Sequence, residues 1–167
     1  MNTSLCASFL HHLDDGGLEV GAASDEIQAW LTGIGLPIEL LHLLQDDWPQ
    51  ADGDLGEMYL VFSSESIRAD EMTPPLQEAR FLNVGSAVNG DFFVIDFASE
   101  ACIPGYVSHE EWSPDEDPPL NPRDFFQPIA RSFESLLYRL VEGRFVPIDY
   151  YAAEEFNRLL KSEETEA

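Results

Sequence analysis

The 167-residue sequence predicts an α+β fold, an antiparallel-rich sheet of about four to six strands packed against N-terminal and C-terminal helices. Three observations carry this prediction. Residues 80–97 have a hairpin signature. Segments before and after it repeat apolar residues at helical spacing. The 44% apolar and 11% aromatic content is that of a folded core. At this length one domain, 1–167, is expected, with its core over residues 25–142.

The hairpin organises the rest. Arg80–Phe97 reads as two strands joined by a turn over Ser86–Gly90, because Asn89-Gly90 accepts positive φ at low cost. Gly85 allows a bulge or a close backbone approach. Phe93, Ile95 and Phe97 then share one face, and Phe92, Val94 and Asp96 the other. The three large apolar groups must be buried, and helices are the expected cover. Asp96 is either a solvated strand charge or a residue at the mouth or edge of that surface.

The remaining elements follow in order. Leu5, Phe9, Leu10 and Leu13 have helical spacing until Gly16-Gly17 breaks it. His11-His12 beside Asp14-Asp15 makes no metal site, because adjacent helical side chains diverge by about 100°. Ser24 or Asp25 caps a short helix through Leu31, which Gly33 and Gly35 end. Pro37 opens helix 37–47, with Leu40, Leu41 and Leu44 as its stripe, and Trp48-Pro49 stops it. Asp52, Gly53, Asp54 and Gly56 form a turn that lacks the downstream ligands of a calcium loop. Glu57–Phe62 reads as a strand, and Glu65–Asp70 as a helical turn. Pro74-Pro75 implies an extended segment. Ile103–His109 suits a further strand, with Val107 buried and Tyr106 on the opposite side.

Residues 110–128 hold five prolines and six acids. That composition reads as an acidic loop or polyproline-like arm anchored by Trp112, Phe125 and Phe126. Helix 129–142 has the clearest periodicity, and Gly143 stops it. A last helix, within 149–161, carries Ala152, Ala153, Phe156, Leu159 and Leu160, with Glu154 and Arg158 spaced to pair. The tail after it is expected to fray.

Charge narrows the partners. The net charge is −24, and it is uneven: residues 1–67 contain twelve acids and no Lys or Arg, and eight acids without a base separate Arg80 from Arg123. Such a field repels nucleic acid and anionic membrane, and raises the on-rate of a basic partner by up to about 10–10³. Acidity that serves solubility alone is the competing reading. No run approaches the roughly 18 apolar residues of a membrane span. The N-terminus lacks a basic n-region, so a cytoplasmic protein with Cys6 and Cys102 as reduced thiols is expected.

Catalytic signatures are missing. The chain has no G-x-x-x-x-G-K-[ST], no G-x-G-x-x-G and no G-x-S-x-G, and His109-Glu110-Glu111-Trp112 lacks the second histidine of a zinc-protease helix. No enzyme activity, cofactor or metal is expected.

The order of motifs resembles the SUKH superfamily, which includes fungal cell-wall assembly regulators and bacterial immunity proteins. The resemblance runs over residues 25–142 and rests on four stretches: Leu36-Pro37 opening a helix, Phe81-Leu82-Asn83-Val84-Gly85, then Gly90-Asp91-Phe92-Phe93-Val94-Ile95-Asp96, and Ser132-Phe133-Glu134-Ser135-Leu136-Leu137. Two departures stand out. The loop after Trp48 reads Pro49-Gln50-Ala51-Asp52-Gly53 where the family often carries Asn-Gly, and the 110–128 arm exceeds a minimal member. The resemblance implies a non-catalytic immunity protein that binds and blocks a cognate toxin, often a nuclease and so basic. The acidic charge and the aromatic anchors fit such a partner independently, and the binding face expected from them includes Asp91, Asp96, Glu110, Glu111, Trp112, Asp115, Glu116 and Asp117, with Asp47 and Trp48 as further members. A regulator or scaffold that binds an endogenous protein is the alternative.

Overall fold

The computed structural model describes residues 1–14, 18–55 and 59–166. The predicted Gly16-Gly17 break and the predicted strand start at Glu57 and Met58 lie outside the described residues. The fold is α+β. The N-terminal part holds α1 (Thr3–Asp14), β1 (Val20–Gly21), α2 (Asp25–Ile34), α3 (Ile38–Asp46) and β2 (Trp48–Pro49). β1 and β2 form a small antiparallel ribbon. Then come β3 (Gly53–Asp54), β4 (Tyr59–Val61), α4 (Ser64–Ala69), α5 (Thr73–Glu78), β5 (Phe81–Ala87), β6 (Phe92–Asp96) and β7 (Ile103–Val107). A 3-10 turn, Pro122–Phe125, leads into β8 (Phe126–Pro128), followed by α6 (Phe133–Val141) and α7 (Tyr150–Glu166). Strands β3 to β8 form one antiparallel sheet in sequence order, a meander with β5 and β6 at its centre.

The hairpin forms as its sequence dictates. The amide of Gly90 donates to Ala87 O at 3.0 Å, and Gly90 alone in the turn takes a positive φ, 97°. A register shift between Asn83 and Gly85 is the expected bulge. A Cβ at Gly85 would collide with the carbonyl of Leu60, so β4 approaches there only because the side chain is absent.

Strand alternation sets two faces, and both are covered. Phe93, Ile95 and Phe97 join Leu82, Val84 and Tyr106 on the helix side, where Cys6, Leu10, Leu31, Leu40, Leu44, Phe133 and Leu136 complete the main core. Val94, Phe81 and Val107 face the other way and form a smaller cluster with Leu76 and Trp112. Val107 and Tyr106 are therefore both fully buried, on opposite faces.

Helix ends follow from local chemistry. Ser24 caps α2 and Gly35 closes it at φ 80°. Ser132 and Ser135 exchange capping bonds with each other's backbone at 3.1 Å, so α6 starts at Phe133 rather than at the expected 129. Several local expectations change. Leu43 joins Leu40 and Leu44 in the core while Leu41 is half-buried. Pro74 and Pro75 sit in the first turn of α5, where a missing N–H costs nothing, so that segment is helical rather than extended. The arm ends in β8, which bonds to β7. Arg158 pairs with Glu155, one turn back, rather than with Glu154. The helix continues through Glu166 instead of fraying after Lys161.

Candidate partner-binding face

Three of the residues expected to meet a partner are inside the protein. Trp48 is 1% exposed, tilts against Phe133 at 5.7 Å, and its Nε1–H donates to Phe62 O. Trp112 is 3% exposed. Its ring meets Phe92 edge-on at 5.8 Å, and its Nε1–H donates to Leu120 O at 3.0 Å. Asp91 is fully buried. These corrections share a cause: an indole or carboxylate with all its hydrogen-bonding capacity met internally is stable away from water.

Asp91 is a junction. Its carboxylate accepts from the His109 amide (3.1 Å), His109 Nδ1 (2.8 Å), Asn89 Nδ2 (2.8 Å) and the Tyr150 amide (2.9 Å). It thereby joins the hairpin turn, the exit of β7 and the first turn of α7. Burial alone would raise its pKa, but the bonds from His109, Tyr150 and Asn89 stabilise the charge and hold it below the usual carboxylate range. The 2.8 Å contact puts a proton on His109 Nδ1.

Asp96 is not a solvated strand charge. Arg123 grips it with two bonds, 2.8 and 2.9 Å, while donating a third from Nε to Ala79 O and lying 4.6 Å over the Phe81 ring. The Asp96 bond comes first among the effects that raise the Arg123 pKa. Asp47 is half-buried and bonds His11 Nε2 at 3.1 Å, at the α1–α3 contact and away from the arm.

The remaining acids are outside. Glu110, Glu111, Asp115, Glu116 and Asp117 are exposed on the segment that follows β7. That segment is held at both ends and in the middle: by His109 on Asp91, by Trp112 under the sheet, and by Arg123 on Asp96. Tyr151 of α7 adds a surface tie, donating to Glu110 Oε2 at 3.0 Å. That bond leads the causes that raise the Tyr151 pKa, so the hydroxyl stays a donor. Sequence reading missed Tyr151 and Gln127 beside it. A tyrosine within a helical stripe carries no signal for what lies opposite it.

Beside Tyr151, α7 and β8 bound an open groove of about 720 Å³, lined by Gln127, Tyr151, Glu154, Glu155, Asn157 and Arg158. Asn157 spans it, donating to Gln127 Oε1 and Pro128 O. No group of three metal-ligating side chains occurs among the described residues. Cys6 and Cys102 are fully buried, free thiols that burial, the largest cause, pushes up to about 12 and about 11. Among the described residues, no helix is long and apolar enough to cross a membrane.

No protein-family model, no curated protein and no solved structure matches this chain.

Proposed function

We propose that this chain is a non-enzymatic binding protein of the SUKH type, an immunity protein that neutralises a basic toxin domain such as a nuclease. The observation that carries the reading is the anchored acidic arm. Glu110, Glu111, Asp115, Glu116 and Asp117 are exposed on a segment whose Trp112 is 3% exposed. A fixed display of like charge loses little ordering entropy on binding, and it steers a basic partner inward. A nuclease domain is basic because it must hold phosphates, so its substrate-binding surface complements such a display. The uneven charge supports the same reading, since the arm and hairpin share a stretch of eight acids without a base.

The binding surface is narrower than the sequence suggests. Buried Trp48, Trp112 and Asp91 build the scaffold, and paired Asp96 fixes the arm to it. The exposed arm acids are the contact residues.

The experiment is affinity capture of partners from the source cells at low and at high salt, followed by a nuclease assay with and without the protein. The expected result is one basic polypeptide, released at high salt, whose activity is blocked. A neutral partner retained at both salts would replace this reading with that of a scaffold for an endogenous protein. Joint reversal of Glu110, Glu111, Asp115 and Glu116 should slow association by about tenfold or more. An unchanged rate would remove the arm from the interface.

A further inference from the structure

The α7–β8 groove continues the acidic arm around a corner. Tyr151 stands at the join: 42% exposed, it bonds Glu110 of the arm and lines the groove with Glu154 and Glu155. Arg158 is the one base among the lining residues named, and its 3.4 Å contact with Glu155 joins two side chains that are 74% and 68% exposed. Such a pair is held loosely and yields to a competing cation. The acids act on the tyrosines as neighbours do. Glu110 and Glu111 press on Tyr151, and Glu111 and Glu154 on Tyr150, after the leading effects of the Glu110 bond and of burial.

We infer that the groove between α7 and β8 is the subsite that receives an arginine-bearing segment of the basic partner. The inference rests on the partner reading above and deepens it. A guanidinium is planar and carries five donors. The exposed Tyr151 ring offers a face for it, and the carboxylates of Glu110, Glu154 and Glu155 offer acceptors. The groove's volume, about 720 Å³, lies within the range of about 300–1,000 Å³ that encloses small ligands. A second cavity, about 480 Å³ between α5 and the arm, suits this occupant poorly, because Arg80 and Arg123 line it.

The test uses the full chain and a fluorescent peptide of alternating glycine and arginine, titrated by anisotropy. The double variant Glu154→Lys, Glu155→Lys should weaken binding by about tenfold or more. A charge-matched control away from both the arm and the groove, Glu71→Lys with Glu100→Lys in exposed turns, should weaken it by less than about threefold. Tyr151→Ala should cost about threefold, and Tyr151→Phe less, since the ring remains. All of these side chains are exposed, and a thermal melt confirms that each variant folds. Equal loss from the groove pair and the control pair would mean attraction by net charge alone and would overturn the inference. Competition by spermine as strong as by the peptide would overturn it too, in favour of small polycations. Failure here is separable from failure of the partner reading. A captured basic protein that binds the groove variant as well as the unaltered chain defeats only the groove. Tight peptide binding at the groove with no basic protein captured defeats only the immunity role.

Discussion

One face of the six-stranded sheet meets helices through Phe93, Ile95, Phe97 and Tyr106. The other meets the short helix α5, through Leu76, and an irregular arm, through Trp112, over Phe81, Val94 and Val107, and there Asp91 and Asp96 tie the arm down. Helices have satisfied their own backbone groups, so covering a face with them requires only apolar side chains. A segment with five prolines cannot do this. Its position comes from a few aromatic anchors and from directional bonds to carboxylates. The helix face is sealed by area, and the arm face is pinned at points.

Truncation should separate the two, with the largest effects first. Phe93→Ala on the helix face should cost about 4 kcal/mol, and Trp112→Ala on the arm face about 3 kcal/mol. The more telling difference is spatial. In Trp112→Ala, amides over 108–125 should exchange early while those of α1, α3 and α6 keep their protection. Buried Cys6 and Cys102 report independently on the helix face, and should react with a thiol reagent only on global unfolding. Uniform loss of protection, or early thiol labelling, would mean that the two faces open together.

The next effect in size is at Asp91. Asp91→Asn keeps the shape but removes the charge that four donors surround, and should cost about 3 kcal/mol by denaturant titration. The folded-state pKa lies below the ordinary carboxylate value, so the sign is fixed. The contribution is full above about pH 4 to 5 and is lost as pH falls through the depressed folded-state value. The acid limb of the stability profile should therefore be shallower in Asp91→Asn than in the unaltered protein. Parallel limbs would place the acid sensitivity elsewhere.

Arg123→Met sits lower. Its side chain is 34% exposed, so solvent screens part of the pair with Asp96. About 1 kcal/mol is expected, and less at high salt, with early exchange confined to the arm.

The same contrast governs what the sequence made legible. Periodicity exposed the helix face directly: strand alternation named Phe93, Ile95 and Phe97, and helical spacing named Leu40 and Leu44. The arm face gave no such pattern. Trp112 and Phe125 read as anchors, but nothing local shows that they close under Val94, or that Arg123 reaches back across the sheet to Asp96. Asp91 illustrates the limit. It lies next to a turn glycine, where an exposed acid is the ordinary expectation, and its burial depends on donors 18 and 59 residues away. Charge composition is additive along a chain and so can be read from sequence. Which charges are consumed internally is decided by tertiary contacts, and this is why the acidic arm was legible while Asp91 and Asp96 were misplaced at its surface.

The smallest stability effect belongs to the groove. Arg158→Ala breaks the solvent-exposed contact with Glu155, and should leave stability within about 0.5 kcal/mol. The same change removes the one base among the named groove residues and frees Glu155. Affinity for the arginine–glycine peptide should therefore rise by about threefold, an effect that fades at high salt. A residue that contributes almost nothing to folding would then limit binding. That outcome extends the comparison from the two faces to the surface: the charge pairs at Asp91 and Asp96 place the arm, and the weak pair at Arg158 leaves the groove free to exchange its partner. If Arg158→Ala instead lowers peptide affinity, Arg158 orders the groove rather than competing for it, and the pair with Glu155 belongs with the structural ones.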